Sequence, residues 1–139
     1  DQLLTHWKSI RTEMKNRSEI DQLQEVVDFW SKAPLAVMAY DPEKLNECPT
    51  PWEMMTENDW CRNSIAIGME FTLRLSGWKA DRLKIKMIRD YDVSDQKLIV
   101  EVDEKYFLNY EHGAVVPIPE TNRDVLDIWA FSGKNYERI

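Results

Sequence analysis

The stretch DWCRNSIAIGMEFTLRLSG, residues 59–77, decides the fold predicted for this chain. Apolar side chains recur at helical spacing on two of its sides, so we predict a central helix rather than a surface helix. Gly77 is the expected C-terminal stop of this helix. One face of the helix carries a row of small side chains, which would let a neighbouring backbone approach closely. The residues of this row are Gly68, Thr72 and Ser76.

Two amphipathic helices are predicted ahead of the central helix. Apolar residues recur at helical spacing over residues 3–15, and Ser18 is the expected N-cap of a second helix that Pro34 closes. We assign residues 1–34 to a helical N-terminal extension and residues 35–139 to the main domain. The apolar stripes of these helices dock either on the domain itself or on another subunit, and the pattern leaves both open.

A third helix and a set of strands complete the prediction. Thr50 can cap the third helix, Pro51 suits its first position, and Glu53 completes a capping box. After the central helix the hydrophobic period becomes two, which predicts an antiparallel meander of short strands. The predicted strands span residues 83–88, 98–103, 106–110, 114–118 and 127–131, with the stretch GKNY as a turn near the end. Helices followed by strands indicate an α+β fold.

Composition limits the classes of partner. The 139 residues fit a single domain with one sizeable core. The formal net charge of −7 should repel nucleic acid and anionic membranes, so we expect neither as a partner. A basic or neutral protein surface, or a second copy of the chain, is the expected partner. No apolar run is long enough to span a bilayer.

Cysteine and histidine are sparse. Cys48 and Cys61 could form one bridge, but two reduced thiols in a reducing compartment are favoured. The chain contains neither CxxC nor HExxH, and His6 and His112 are far apart in sequence. We therefore expect no metal and no cofactor.

Cys61 has two interpretations. At the start of a helix the helix dipole favours the nucleophilic thiolate. A buried helix followed by an antiparallel sheet is also the layout of cysteine enzymes in which a strand histidine acts as base and an Asp or Asn on the next strand orients it. The alternative is a small, inert core residue, because buried free cysteines are common.

The stretch TPWEMMTENDWCRNSIAIGMEFTLRLSGWKADRLKIKMIRDYD, residues 50–92, resembles the bacterial transglutaminase-like cysteine proteinases. It shares their TP-x-E helix start, the cysteine before a helix that ends in glycine, and the strand that follows. Later stretches keep the order and spacing of that family as far as residue 132; they are 97–102, 107–110 and 128–132. The resemblance implies a transglutaminase-like, or papain-like, fold. The segment VVDFWSKAPL, residues 26–35, is most similar to phage-encoded relatives.

The chain departs from this family at its catalytic positions. The family cysteine is flanked by acids, whereas Trp60 precedes it here. The family's histidine opens the strand at residues 97–102, where Gln96 is the nearest counterpart, and glutamine cannot take a proton from a thiol. The family's orienting aspartate maps onto Asn109.

In the first functional interpretation, the chain has the fold of this family but not its catalytic activity. The domain is then a binding or structural component, of a phage particle or of a phage–host interaction, found in a virion or in the cytoplasm of a host cell. An inhibitor that acts by surface contact fits the same observations. The chain opens at Asp1 rather than at a methionine, which leaves a removed leader open.

The second interpretation is an active cysteine peptidase, amidase or transamidase. Cys61 would attack an amide carbonyl, His112 would be the general base, and Asn109 or Asp127 would orient it. The oxyanion would be held by the backbone N–H of Cys61 together with a second donor. The candidates for that donor are Gln96 and Trp60.

Three tryptophans bracket the central helix, namely Trp52, Trp60 and Trp78. They are candidates to line a groove for a substrate or partner peptide. Packing in the core or at its rim is the alternative, which is the more frequent role of tryptophans so placed.

Overall fold

The computed structural model describes residues 2–32, 42–57, 62–91 and 96–139. Four α-helices lie in these ranges, namely α1 (Gln2–Glu13), α2 (Glu19–Ser31), α3 (Pro51–Glu57) and α4 (Arg62–Leu75). Short 3₁₀ helices span Met14–Asn16, Pro42–Glu47 and Ala80–Arg82. The strands are β1 (Leu83–Asp90), β2 (Gln96–Val102), β3 (Tyr106–Leu108), β4 (Val116–Pro117), β5 (Arg123–Phe131) and β6 (Tyr136–Arg138). The predicted α+β class is confirmed.

The strands form one antiparallel sheet in the order β4-β3-β2-β1-β5-β6. β1 therefore lies near the middle, between β2 and β5. Several strand bounds differ from the sequence prediction, since β3 ends at Leu108 and β4 spans only Val116–Pro117. β5 begins at Arg123 rather than at Asp127, and the predicted turn near the end is followed by a short strand, β6, that pairs with β5.

Helix starts follow the predicted capping chemistry. The Ser18 side chain accepts a hydrogen bond from the backbone N–H of Asp21 at 3.3 Å, at the start of α2. At α3, the Thr50 N–H donates to the Glu53 carboxylate at 3.1 Å, and the Glu53 N–H donates to the Thr50 hydroxyl at 3.3 Å. These reciprocal bonds satisfy backbone donors that a helix leaves without an intrahelical partner.

The helices pack on one face of the sheet. Alternate residues of β2 point into the main core with α4; they are Leu98, Val100 and Val102. The intervening Ile99 belongs to a smaller cluster on the opposite face. Trp7 of α1 and Trp30 of α2 are fully buried in the main core, so the N-terminal helices dock on the domain itself. The proposed boundary at residue 34 lies outside the described residues.

Two tryptophans converge on the central helix. The indole N–H groups of Trp7 and Trp30 donate to the same acceptor, the Thr72 hydroxyl oxygen, at 2.9 and 3.0 Å. That hydroxyl in turn donates to the Gly68 carbonyl at 2.7 Å. The small face of α4 thus receives an indole ring rather than the predicted neighbouring backbone, since the Trp30 ring lies directly against Gly68.

A buried ionic network joins α4 to the last strand. Glu70 is 1% exposed, pairs with Arg74 at 2.8 Å, and accepts a hydrogen bond from the Tyr136 hydroxyl at 2.7 Å. Burial raises the pKa of the Glu70 carboxyl, against the opposing influence of Arg74. The Asn46 side chain pairs with the backbone N–H and C=O of Tyr136, which covers part of this sheet edge.

Candidate active site

The N-terminal end of α4 is the expected position of a nucleophile. α4 begins at Arg62, so Cys61 is the residue that directly precedes it in the sequence. Ser64 and Ile65, in the first turn, are buried. Cys61 and Trp60 themselves lie outside the described residues, so the reactivity of the Cys61 thiol stays a prediction. Cys48 is buried as a thiol rather than in a disulfide, which agrees with the favoured interpretation of reduced thiols.

Gln96 is the first residue of β2. Because side chains alternate along a strand, Gln96 shares its face with Leu98 and Val100, which pack with α4. Gln96 is therefore on the helix side of the sheet, where the resemblance implies a catalytic histidine. Its cross-strand partner is Arg89, a neighbour that the sequence did not single out because only the strand register reveals it.

Asn109 follows β3 directly and adopts a left-handed backbone with φ of 65°. Asparagine tolerates this region better than most residues. Its side-chain amide donates to the Leu98 carbonyl of β2 at 2.9 Å. The structure therefore ties Asn109, just past the end of β3, to Leu98, two residues from Gln96 along β2.

His112 is exposed, in the loop between β3 and β4. The next residue, Gly113, accepts a hydrogen bond from the Gln24 side chain of α2 at 3.1 Å. α2 runs antiparallel to α4, because Gln22 bonds Trp78 beyond the end of α4 whereas Trp30 lies against Gly68. The loop is therefore held beside the C-terminal half of α4, away from the end that Cys61 precedes.

Asp127 lies on β5, opposite Met87 of β1, and forms an ion pair with Arg138 at 3.1 Å. Two strands, β1 and β2, separate β5 from β3. At the usual spacing between strands, β5 and β3 are about 14 Å apart. The described contact of Asp127 is thus its ion pair with Arg138, and a role for Asp127 beside His112 stays a prediction.

The tryptophans of the predicted groove have different environments. Trp52 is 42% exposed and packs edge-on against Trp7 and Phe71, with ring centroids 5.3 Å apart in each pair. Trp78 is 6% exposed, and its indole N–H donates to Gln22 at 2.7 Å. Trp78 therefore has the packing role given above as the alternative.

Within the described ranges, no group of three or more His, Cys, Asp or Glu residues could hold a metal ion. The helices of those ranges also include none with the length and apolar character needed to cross a membrane. Both findings concern side chains and helices that the structure describes.

Comparison with known proteins identifies the fold. No family model matches this chain, and no curated protein matches it. Solved structures of LapG from Legionella pneumophila are similar at 16% identity. The calcium-bound form has a TM-score of 0.76 and covers 99% of this chain and 78% of LapG, and the EGTA-treated form has a TM-score of 0.75 and covers 99% and 76%. LapG has a transglutaminase-like fold, so the predicted fold is confirmed, with its helical N-terminus included.

Proposed function

We propose that this chain is a transglutaminase-like domain that lacks the catalytic base of a cysteine peptidase and acts by binding a protein partner. One observation carries the proposal. The first residue of β2 on the α4 face is Gln96, whose amide cannot accept a proton from a thiol at any ordinary pH.

The position of His112 supports the same conclusion. His112 precedes Gly113, whose carbonyl accepts a hydrogen bond from Gln24 of α2 beside the C-terminal half of α4. His6 is exposed on α1, with its ring centroid 5.5 Å from that of Phe29. A general base must come within hydrogen-bond reach of the proton it removes. The loop that carries His112 is instead held away from the start of α4.

An active cysteine peptidase is the second candidate, and the fold shared with LapG, a cysteine protease, favours it. In that case Cys61 would attack the amide carbonyl, and His112 with Asn109 would complete the site after a rearrangement of the loop that carries His112. One LapG structure holds calcium. The described residues of this chain contain no group of three or more His, Cys, Asp or Glu that could hold such an ion. A role in a phage particle stays a prediction.

The reactivity of Cys61 tests the proposal. In a Cys48→Ser background, we expect iodoacetamide to alkylate Cys61 slowly, with a pH dependence near that of an ordinary thiol, whose pKa is about 8.5. Replacing His112 with alanine should leave this profile unchanged, because His112 is not the base. The measurement is the alkylation rate between pH 5 and 9, followed by mass spectrometry.

The peptidase alternative predicts a different alkylation profile. Rapid alkylation that persists below neutral pH, and that slows in the His112→Ala variant, would identify a thiolate paired with imidazolium and establish the peptidase. The free-energy cost of each substitution, measured by urea denaturation, separates a change in reactivity from partial unfolding.

Restoring a histidine should restore activation of the thiol. We expect Gln96→His to raise the alkylation rate of Cys61 at pH 6.5 by about tenfold or more, because a neighbouring imidazolium stabilises the thiolate. Asn109, just past the end of the adjacent strand β3, bonds the Leu98 carbonyl two residues along β2 from position 96. Lys97→His is the matched control, since residue 97 points to the opposite face of the sheet. An equal acceleration in both variants would refute the assignment of position 96.

A further inference from the structure

All but one of the arginines whose side chains the structure describes form an ion pair with a carboxylate. In a chain of net charge −7, six of the arginines form ion pairs with carboxylates, namely Arg17, Arg74, Arg82, Arg89, Arg123 and Arg138. Among arginines whose side chains the structure describes, Arg11 alone has no carboxylate partner within the described residues. The net charge favours a basic or neutral partner surface overall, but an unpaired guanidinium is a local exception that suits an anionic group from outside the chain.

The setting of Arg11 is partly desolvated. Its guanidinium carbon lies 4.2 Å from the centroid of the Trp7 ring. Its Nε is buried and has no hydrogen-bond partner in the described part of the chain. Burial without a compensating anion lowers the pKa of Arg11. Arg123 has a similarly buried Nε, but its guanidinium pairs with Asp90, so Arg11 is the described arginine that lacks a counter-charge within the described ranges.

An exposed aromatic side chain adjoins the same buried ring. Trp52 of α3 packs against Trp7 with centroids 5.3 Å apart and an angle of 79° between the rings. Trp7 is fully buried, whereas 42% of Trp52 remains exposed. A cation and a large apolar surface thus flank one ring, which is the composition of an interaction hot spot.

We propose that Arg11 and Trp52 form the docking site for an acidic segment of a partner protein. A carboxylate of that segment pairs with the Arg11 guanidinium, and a neighbouring apolar side chain rests on the Trp52 indole. The planar guanidinium suits bidentate recognition of a carboxylate. This inference rests on the proposed binding function and assigns it a surface and a class of partner.

Two peptides test the site directly. Acetyl-Leu-Glu-Glu-Leu-amide and its Leu-Gln-Gln-Leu counterpart differ only in charge. We expect the acidic peptide to shift the Arg11 Nε–H and Trp52 indole N–H resonances in ¹⁵N NMR spectra, and to bind about tenfold more tightly than the neutral one, as one charged hydrogen bond implies. Arg11→Gln should abolish the difference. Arg17→Gln, at a paired arginine in the same N-terminal region, should not.

The other outcomes overturn the inference. Equal affinity for both peptides, or an equal loss in the Arg17→Gln variant, would remove Arg11 from recognition. Sodium sulfate that reproduces the Arg11 shift, together with a Trp52 signal that does not respond to peptide, would indicate a site for a free anion only. Cys61 takes no part in these readouts, so failure here leaves the non-catalytic proposal intact, and an activated Cys61 would leave this result intact.

Discussion

Replacement of Thr72 by valine is expected to lower the free energy of unfolding by about 2–6 kcal/mol, because two buried donors lose their acceptor at once. The indole N–H groups of Trp7 and Trp30 both donate to the Thr72 hydroxyl. Trp7 is 0% exposed and Trp30 is 1% exposed, so water cannot replace the lost acceptor without a rearrangement of the core. Each unsatisfied buried donor costs about 1–3 kcal/mol.

The shape of the side chain is not the cause of this loss. Valine has nearly the volume of threonine, so the substitution changes hydrogen bonding and leaves the packing almost unaltered. Thr72→Ser is the matched control, since it keeps the hydroxyl and removes one methyl group, at a cost of about 1 kcal/mol. Urea denaturation followed by tryptophan fluorescence measures both. A Thr72→Val protein no less stable than Thr72→Ser would show that the indoles find other acceptors.

Local chemistry explains which elements the sequence predicts well. The capping box of Thr50 and Glu53 joins residues three positions apart, and the structure contains both of its bonds. The Ser18 cap is equally local. The contact of α2 with α4, in contrast, brings Trp30 to a residue 42 positions away. Helical periodicity identified a small face on α4, but periodicity alone does not say which side chain fills it.

The candidate site likewise combines local features that the sequence predicts with long-range contacts that it does not predict. The family resemblance pointed to Gln96 as the residue at the start of this strand, and its facing toward α4 follows from the alternation of side chains along β2. The position of His112 depends on a hydrogen bond between Gly113 and Gln24, which are 89 positions apart. The place of Asp127 depends on strand order, which is also a long-range property and puts β5 on the other side of β1 from β2.

Arg11 illustrates what sequence reasoning misses altogether. In the sequence it is one basic residue on the polar side of an amphipathic helix. The lack of a carboxylate partner at Arg11 becomes visible only in the folded structure, because the other described arginines meet their carboxylates there. The nearest signal in the sequence is whether an arginine has an Asp or Glu three or four positions away, where a helix brings the two side chains together.

Gly68→Ala is expected to lower the free energy of unfolding by about 2 kcal/mol, although alanine is intrinsically the better helix former by about 1 kcal/mol. A Cβ at this position would lie 2.5 Å from the nearest carbon of the Trp30 ring, with two more ring carbons within 2.7 Å. The indole is buried on all sides, so it must shift as a unit. That shift also moves its N–H away from the Thr72 hydroxyl.

A double-mutant cycle isolates this steric conflict. Trp30→Phe removes the outer ring of the indole, which is the part that approaches Gly68. Gly68→Ala should therefore cost much less in the Trp30→Phe background than in the wild-type chain, and the sign of its effect can reverse there because helix propensity then dominates. Equal costs in the two backgrounds would mean that the added methyl group meets something other than Trp30. The coupling energy, measured by urea denaturation, thus reports how closely α2 is fitted to the central helix.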